Sequence, residues 1–364
     1  MTTQKQALCI AAQAGVPTLI WGKPGTGKTS YIQKIAAAAG RHLETVIASI
    51  RDPSDFAGLP IVVGSGVEFA PPSWAQRLVA AAEKGVGGVL FLDELSTAPP
   101  AVQAALLRVT FEGMVGDLSL PPSVWIIAAA NPTDTTSGTW ALGAALANRF
   151  VHIMWDANHR EWVEGIVTDW EKDENIVLLP ENWRDKLPRM RALVASFIKA
   201  RPALLLQLPE DTESAGRAWA SPRTWDMVTV LLTACDSVNA DTETRLTLVA
   251  GAVGHGAATE FITWLDALDL PDPDALLRSP ESFKVPERDD QLYAILSSVV
   301  AAAQENLTQA RWGAAWRILA AASDKRADIA VVPASTLLKS RPQDFALPTD
   351  LRTFLPILKE AGLL

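Results

Sequence analysis

Gly22-Lys23-Pro24-Gly25-Thr26-Gly27-Lys28-Thr29 decides how this chain is read. The spacing G-x-x-x-x-G-K-[ST] is that of a loop wrapping a phosphate group. Its glycines permit a tight curl whose backbone N–H groups converge on an anion. Lys28 stands where an ammonium reaches β- and γ-phosphates, and Thr29 where a hydroxyl ligates Mg²⁺. About one chain in a hundred of this length carries the pattern by chance, and the flanks argue against chance. Thr18-Leu19-Ile20-Trp21 reads as a buried strand leading into the loop. Ile32, Ile35, Ala36 and Ala39 recur at helical spacing after it, and Gly40 suits the helix stop. A helix starting at the loop adds its positive dipole end to the anion site. Residues 22–30, Ser30 included, are therefore expected to hold a nucleotide.

A second stretch, Val89-Leu90-Phe91-Leu92-Asp93-Glu94, ends an apolar strand in two carboxylates. Ligands of open α/β sheets bind at that edge. Asp93 is placed to hold Mg²⁺, directly or through water, and Glu94 to act as general base on the attacking water. Standing alone, the pair would be an ordinary strand terminus; with the loop upstream it reads as the second half of a hydrolytic site. A third strand, Val124 to Ala130, ends in Asn131-Pro132. Asn131 can hydrogen-bond the attacking water or the γ-phosphate, while its plainer reading is a turn residue before proline. Arg149 closes a short helix before the apolar run Val151-His152-Ile153-Met154. Its alternatives are capping of the helix dipole and an arginine finger reaching a neighbouring subunit. Ser221-Pro222 opens another helix as N-cap and first residue. That puts Arg223 in a first turn, where a cation opposes the dipole unless a polyphosphate lies opposite.

These features together resemble the AAA+ ATPases, and within them the MoxR-like group. The matching stretches are GKPGTGKT at 22–29, VLFLDE at 89–94, AANP at 129–132, NRF at 148–150 and SPRTW at 221–225. Ala101 to Leu107 also looks like the family's helix after the acidic pair. The chain departs from the group at Leu95-Ser96-Thr97, where Asn-Arg is usual. The resemblance spans about residues 15–235. It implies ATP and Mg²⁺ as ligands, with Lys28, Thr29, Asp93, Glu94 and Asn131 forming the site within one subunit. It implies Arg149 as the finger in trans and Arg223 as a second sensor. It further implies a homo-oligomer, a hexameric ring, and a protein substrate, often one with a von Willebrand A domain.

Composition bounds the rest. The chain has 364 residues, a formal charge of −9 and a pI of about 5.1. An acidic surface disfavours non-specific nucleic-acid binding, so a nucleic-acid motor stands only as an alternative. An ATP-dependent switch or scaffold with little turnover is the other, opposed by the intact Asp93-Glu94 pair. No apolar run is long enough for a membrane span. Cys9 and Cys235 form no CxxC, and His42, His152, His159 and His255 are scattered. A cytoplasmic location is the default expectation.

The expected fold class is α/β: a P-loop NTPase three-layer αβα core, followed by a helical lid and a helical C-terminal region. Strands are expected near 18–22, 43–50, 89–92, 124–130 and 151–155, with helices at 1–14, 28–39, 74–84, 99–112 and 140–147. This alternation argues for a parallel sheet, and the resemblance implies strand order 5-1-4-3-2. Ser73 and Gln76 read as a capping box for helix 74–84. Two inserts read as β-hairpins, at 60–70 and 114–120. The apolar face of the first has either to pack on its own subunit or to serve as a contact surface. The domain expectation is a core over 1–156, a lid over 157–270, a linker over 271–288 and a helical region over 289–364. Helices are expected at 159–172, 181–200, 221–238, 241–253, 256–268, 289–304, 307–323 and 350–361, with a long loop at 203–219.

Overall fold

The structure, a computed structural model, describes residues 1–132, 140–168, 176–346 and 348–354. They fall into two compact units, one of residues 1–181 and 206–259, the other of 182–205 and 260–364. The chain begins with α1 (Thr3–Ala14), β1 (Thr18–Trp21), α2 (Lys28–Ala38), β2 (His42–Ile47) and a single turn, α3 (Ser54–Ala57). The hairpin β3 (Leu59–Val63) and β4 (Gly66–Ala70) follows, then α4 (Ser73–Glu83), β5 (Gly88–Asp93) and α5 (Pro100–Glu112). A short ribbon, β6 (Met114–Val115) and β7 (Leu118–Ser119), precedes β8 (Trp125–Ala130), α6 (Ala144–Ala147), β9 (Val151–Met154) and α7 (His159–Val167). After α8 (Leu187–Ala200), the chain forms α9 (Thr212–Ala215), α10 (Pro222–Ser237) and α11 (Thr242–Val253). It closes with α12 (His255–Asp266), α13 (Pro273–Arg278), α14 (Asp289–Glu305) and α15 (Gln309–Lys339).

In the first unit five strands make one parallel sheet in the order β2-β5-β8-β1-β9. Numbered as successive core strands, this is the expected 5-1-4-3-2. Alternation along each strand sends Leu19, Trp21, Leu90, Leu92, Ala128 and Ala130 into a core with Trp74 and Leu78 of α4 and Val102 and Leu106 of α5. The intervening residues Ile20, Phe91 and Ile127 are also fully buried, on the face that α1 and α2 cover. Burial on both faces explains why these strands read as continuous apolar runs. Each such side chain stabilises the layer by about 1.5–3 kcal/mol. Register aligns the strand ends: Trp21 lies opposite Ala130, and Asp93 opposite Ile47. The residues that follow β1, β5 and β8 therefore emerge along one sheet edge.

In the second unit, α8, α13, α14 and α15 surround a core of Leu276, Leu292, Leu296, Val299, Trp312 and Trp316. The stretch 271–288, expected as a linker, contains α13, and Leu276 and Leu277 are buried in that core. The expected lid over 157–270 is divided between the two units, 206–259 lying in the first and 182–205 in the second. The expected helix 307–323 continues to Lys339 as α15, with a break at Arg326 (φ −144°, ψ 64°). Pro333, a helix-breaking residue, hides the second half from a periodicity reading, although Ile329, Ala330, Ala334 and Leu337 are buried there.

Smaller differences are local. The capping box at Ser73 and Gln76 does not form: Pro72 is the N-cap, Ser73 is already helical, and Gln76 Nε2 donates to Pro71 O at 3.3 Å. Helix 140–147 shortens to Ala144–Ala147, and within 203–219 the loop is interrupted by the end of a 3₁₀ turn, Pro202–Leu204, and by one helical turn, Thr212–Ala215. Of the expected helix 350–361 the described part is a 3₁₀ turn, Thr349–Thr353. Residues 355–361, like 169–172 of the expected helix 159–172, lie outside the described residues.

Candidate functional site

The loop between β1 and α2 holds the shape its glycines allow. Gly27, the N-cap of α2, has φ 83°, and Gly25 has φ 78°, a region other residues enter only with strain. At Gly22 the constraint is space: a Cβ there would meet Trp155 O at 2.5 Å. Thr26 Oγ1 closes the curl by donating to Lys23 O at 2.8 Å, and Trp155 Nε1 donates to Thr26 O at 3.2 Å. Pro24 contributes no donor and fixes its own φ.

Lys28 is 9% exposed. Its ammonium donates to Gly22 O at 2.5 Å, Lys23 O at 3.0 Å and Asn131 Oδ1 at 3.0 Å. Burial lowers its pKa, and the Asp93 carboxylate opposes that shift. Its three donors thus meet two carbonyls and one amide, all neutral acceptors, which an anion displaces readily. Thr29 Oγ1 donates to Asp93 Oδ2 at 3.0 Å. A hydroxyl beside one carboxylate suits Mg²⁺, which keeps water and phosphate oxygens in its remaining positions. Among the described residues no cluster of three or more His, Cys, Asp or Glu could hold another metal.

Glu94 has φ 57° and ψ 40°, a left-handed conformation that costs a non-glycine residue about 1 kcal/mol or more and that concentrates at active sites. Its N–H donates to Asp93 Oδ1 at 2.9 Å, and its carboxylate accepts from Ser49 Oγ at 2.6 Å. Asn131 is fixed from the other side, its N–H donating to Ser96 Oγ at 3.1 Å. Sequence reading missed Ser49 and Ser96. Ser96 stands in the segment that departs from the MoxR-like pattern, a signal that the acidic pair has a different neighbour here. Lys28, Thr29, Asp93 and Asn131 are thus joined by hydrogen bonds at the sheet edge, with Glu94 adjoining.

Arg149 and Arg223 come together elsewhere in the same unit. Arg149 Cζ lies 5.2 Å from the centroid of the Phe111 ring, and Arg223 Cζ lies 5.4 Å from it. Arg149 Nη1 donates to Ala145 O at 2.5 Å; Arg223 Nη1 donates to Asn148 Oδ1 at 3.3 Å. Burial lowers the Arg149 pKa, and the like charge of Arg223 lowers it further, against the charge of Glu112, which raises it. The expected N-cap is present: Ser221 Oγ accepts from Thr224 N in a capping box, with Pro222 in the first turn. No described hydrogen bond links either arginine to Lys28, Asp93 or Asn131.

A cavity of about 470 Å³ opens beside the loop, lined by Gly27, Ser30, Tyr31, Trp155 and Trp162 among others. The Tyr31 and Trp155 rings lie 4.9 Å apart at 41°. A wider cleft of about 1070 Å³ faces Trp21, His152 and Arg217 and contains no residue of the 22–30 loop. Gln4 stands in both linings, paired with Asp156 through Gln4 Nε2 to Asp156 O at 2.9 Å and Asp156 N to Gln4 Oε1 at 3.0 Å.

Residues 17–152 match the ATPase family associated with various cellular activities (AAA). The match covers the sheet, the loop and the acidic pair, and supports an AAA+ ATPase domain there. Midasin of Dictyostelium discoideum is 29% identical over 167 residues, 43% of this chain and 3% of midasin. The pathogenicity-locus regulatory protein HrpS of Pseudomonas syringae pv. syringae is 32% identical over 103 residues, 27% of this chain and 32% of HrpS. The chain therefore spans well under half the length of these relatives. A crystal structure of a Cytophaga hutchinsonii protein regarded as an ATPase aligns with 73% of this chain and 89% of its own, at 18% identity and TM-score 0.45.

Proposed function

We propose that this protein is an oligomeric, MoxR-like AAA+ ATPase that hydrolyses ATP to ADP and phosphate and couples the reaction to remodelling or activating a partner protein. The observation that carries the reading is the hydrogen-bonded set Lys28–Asn131 and Thr29–Asp93, each at 3.0 Å, beside Glu94. The loop amides and Lys28 hold the β- and γ-phosphates. Thr29 and Asp93 hold Mg²⁺, which when bound neutralises charge on the phosphate oxygens. Asn131 orients the attacking water, and Glu94 accepts its proton on leaving Ser49. Positioning and charge stabilisation supply most of the acceleration. The base and ribose occupy the cavity at Ser30, Tyr31 and Trp155, the one that adjoins the loop.

The arginines support assembly. Among the described residues neither Arg149 nor Arg223 forms an ion pair, and the acid next to Phe111, Glu112, is paired with Arg108 at 3.0 Å. Glu112 acts on Arg149 through its charge but forms no ion pair with it. Two cations with no ion pair of their own suit an anion supplied by a neighbouring copy, and a ring, hexameric in the MoxR-like group, provides one. Partner contact is assigned to the bare hairpin β3–β4, where Val62 is 80% exposed. A partner with a von Willebrand A domain fits the same reading. Among the described residues no helix is long and apolar enough to cross a membrane. Cys9 and Cys235 are buried and in no disulfide, which agrees with the proposed cytoplasmic location.

Two substitutions test the hydrolytic assignment. Lys28→Ala should lose most ATP binding. Glu94→Gln should bind ATP as the unaltered protein does and turn it over about 10²–10⁴-fold more slowly. Normal turnover in Glu94→Gln would remove Glu94 as the base.

A further inference from the structure

Phe111 is unexplained by packing. It is a large apolar side chain at 61% exposure in the last turn of α5, so its removal from water contributes little to the fold. Around it are two guanidiniums whose charges repel. A ring face attracts each cation, by about 0.5–1 kcal/mol at an exposed site and more where water is excluded. The remaining holds on the arginines are slight: one carbonyl, Ala145 O, and the charge of Glu112, which is itself paired with Arg108, for Arg149, and one long contact to Asn148 Oδ1 for Arg223. Asn148 is itself occupied, accepting from Ser221 Oγ at 2.8 Å and donating to Trp219 O at 3.1 Å. The ring centroid lies within 5.4 Å of both guanidiniums.

We infer that Phe111 is a positioning residue: it holds Arg149 and Arg223 together as one two-pronged clamp for the triphosphate bound by a neighbouring copy. The inference rests on the trans reading of the arginines given above. Paired guanidiniums recognise phosphate oxygens with fixed geometry. Pre-orienting them against a ring removes ordering cost from the transition state, so the effect falls on turnover rather than on ATP binding.

The test uses the full chain with ATP and Mg²⁺, comparing Phe111→Leu, Phe111→Tyr, Arg149→Ala and Arg223→Ala. Phe111→Leu keeps apolar bulk and loses the ring face; its kcat should fall about tenfold, equivalent to ~1.4 kcal/mol of barrier. KM, melting temperature and oligomer mass should not change. Phe111→Tyr should restore kcat, and Phe111→Leu should add little to Arg149→Ala. If the arginine variants are impaired while Phe111→Leu turns over normally, the role of Phe111 is overturned and the arginine reading stands. A fall in kcat accompanied by loss of melting temperature or oligomer would mean packing and equally overturn it. Full activity in both arginine variants would overturn the clamp and the trans reading together.

Discussion

Two arginine pairs in this molecule have opposite surroundings. In the helical unit, Arg189 bonds Asp274 at 2.7 Å and Glu305 at 2.7 and 2.9 Å, and Arg311 bonds the other Asp274 oxygen at 2.7 Å. Burial works to lower the Arg189 pKa, but the two carboxylates raise it overall. In the first unit, burial and a second arginine lower the Arg149 pKa, against the charge of Glu112. The first pair is complete within the chain: two cations, two acids, short bonds. The second forms no ion pair among the described residues and lies against an aromatic ring. An arginine with no ion pair of its own is open to an anion from outside, which is the role proposed for Arg149 and Arg223.

The largest effect that follows is on Arg149. An arginine finger in trans is worth about 10³–10⁵ in rate, so Arg149→Ala should be almost idle while melting as the unaltered protein does. Mixed with Lys28→Ala, also idle alone, it should recover some turnover where an intact loop meets an intact finger. If mixed oligomers form and no activity returns, Arg149 does not act across a subunit boundary and the contrast between the two pairs loses its meaning.

The complete pair should behave the other way round. Asp274→Asn leaves Arg189 and Arg311 short of an acceptor and should cost about 1–3 kcal/mol of stability, with ATP affinity unchanged. The sign with pH is fixed. The Asp274 pKa, despite burial that raises it, is held below its usual value of 3.8 by Arg311 and Arg189. Its contribution is complete above that value and fades as pH falls through the lower, folded one. Urea midpoints of the unaltered protein and Asp274→Asn should therefore converge below about pH 4. A constant gap down to pH 2 would show that the charge of Asp274 is not what stabilises the unit.

A third cation lies between these extremes. Arg217 sits 4.0 Å over Trp21, and Trp21 Nε1 donates to His152 Nδ1 at 2.9 Å. Burial, aided by Arg217, takes the His152 pKa down to about 4, against a hydrogen bond to Ala147 O that raises it. Between that value and its ordinary one near 6.5 the unfolded chain binds more protons, so stability rises with pH there, by up to about 1.4 kcal/mol per unit. His152→Gln should flatten that slope in urea melts followed by Trp fluorescence. Equal slopes would place the acid sensitivity on other groups.

The sheet was legible because β1, β5 and β8 are buried on both faces and each motif closes a strand. That made Lys28, Asp93 and Asn131 readable together before any contact was known. Ser49, Ser96 and Phe111 were not readable. A serine or an exposed phenylalanine has no periodic signature, and each acquires its partner, Glu94, Asn131 or the arginines, only through the packing of separate elements. The second half of α15 failed for a different reason, since Pro333 interrupts the local pattern while tertiary burial of Ile329 and Leu337 holds the helix.

The smallest effect on basal turnover belongs to the hairpin. Its base is held: Phe69 N donates to Asp117 Oδ2 at 2.7 Å, Asp117 N to Phe69 O at 3.1 Å, and Gly116 N to Phe56 O at 3.3 Å. Gly58 and Gly116 pass so closely that a Cβ on Gly58 would lie 2.8 Å from Gly116 Cα. Beyond that base the strands are bare, with Ile61, Val62, Val63 and Val67 all exposed. Of the two roles the sequence allows, packing on its own subunit is therefore the weaker. Val62 and Val67 are opposite in register, so Val62→Ser with Val67→Ser changes one cross-strand pair and spares the anchors. Stability should change by no more than about 0.5 kcal/mol, as for surface positions, and basal ATPase by less than about twofold. Stimulation of the ATPase by a partner protein should be lost, since exposed apolar residues of this kind mark contact surfaces. A loss of more than about 1 kcal/mol would return the hairpin to a packing role. Intact stimulation would move partner contact to another surface.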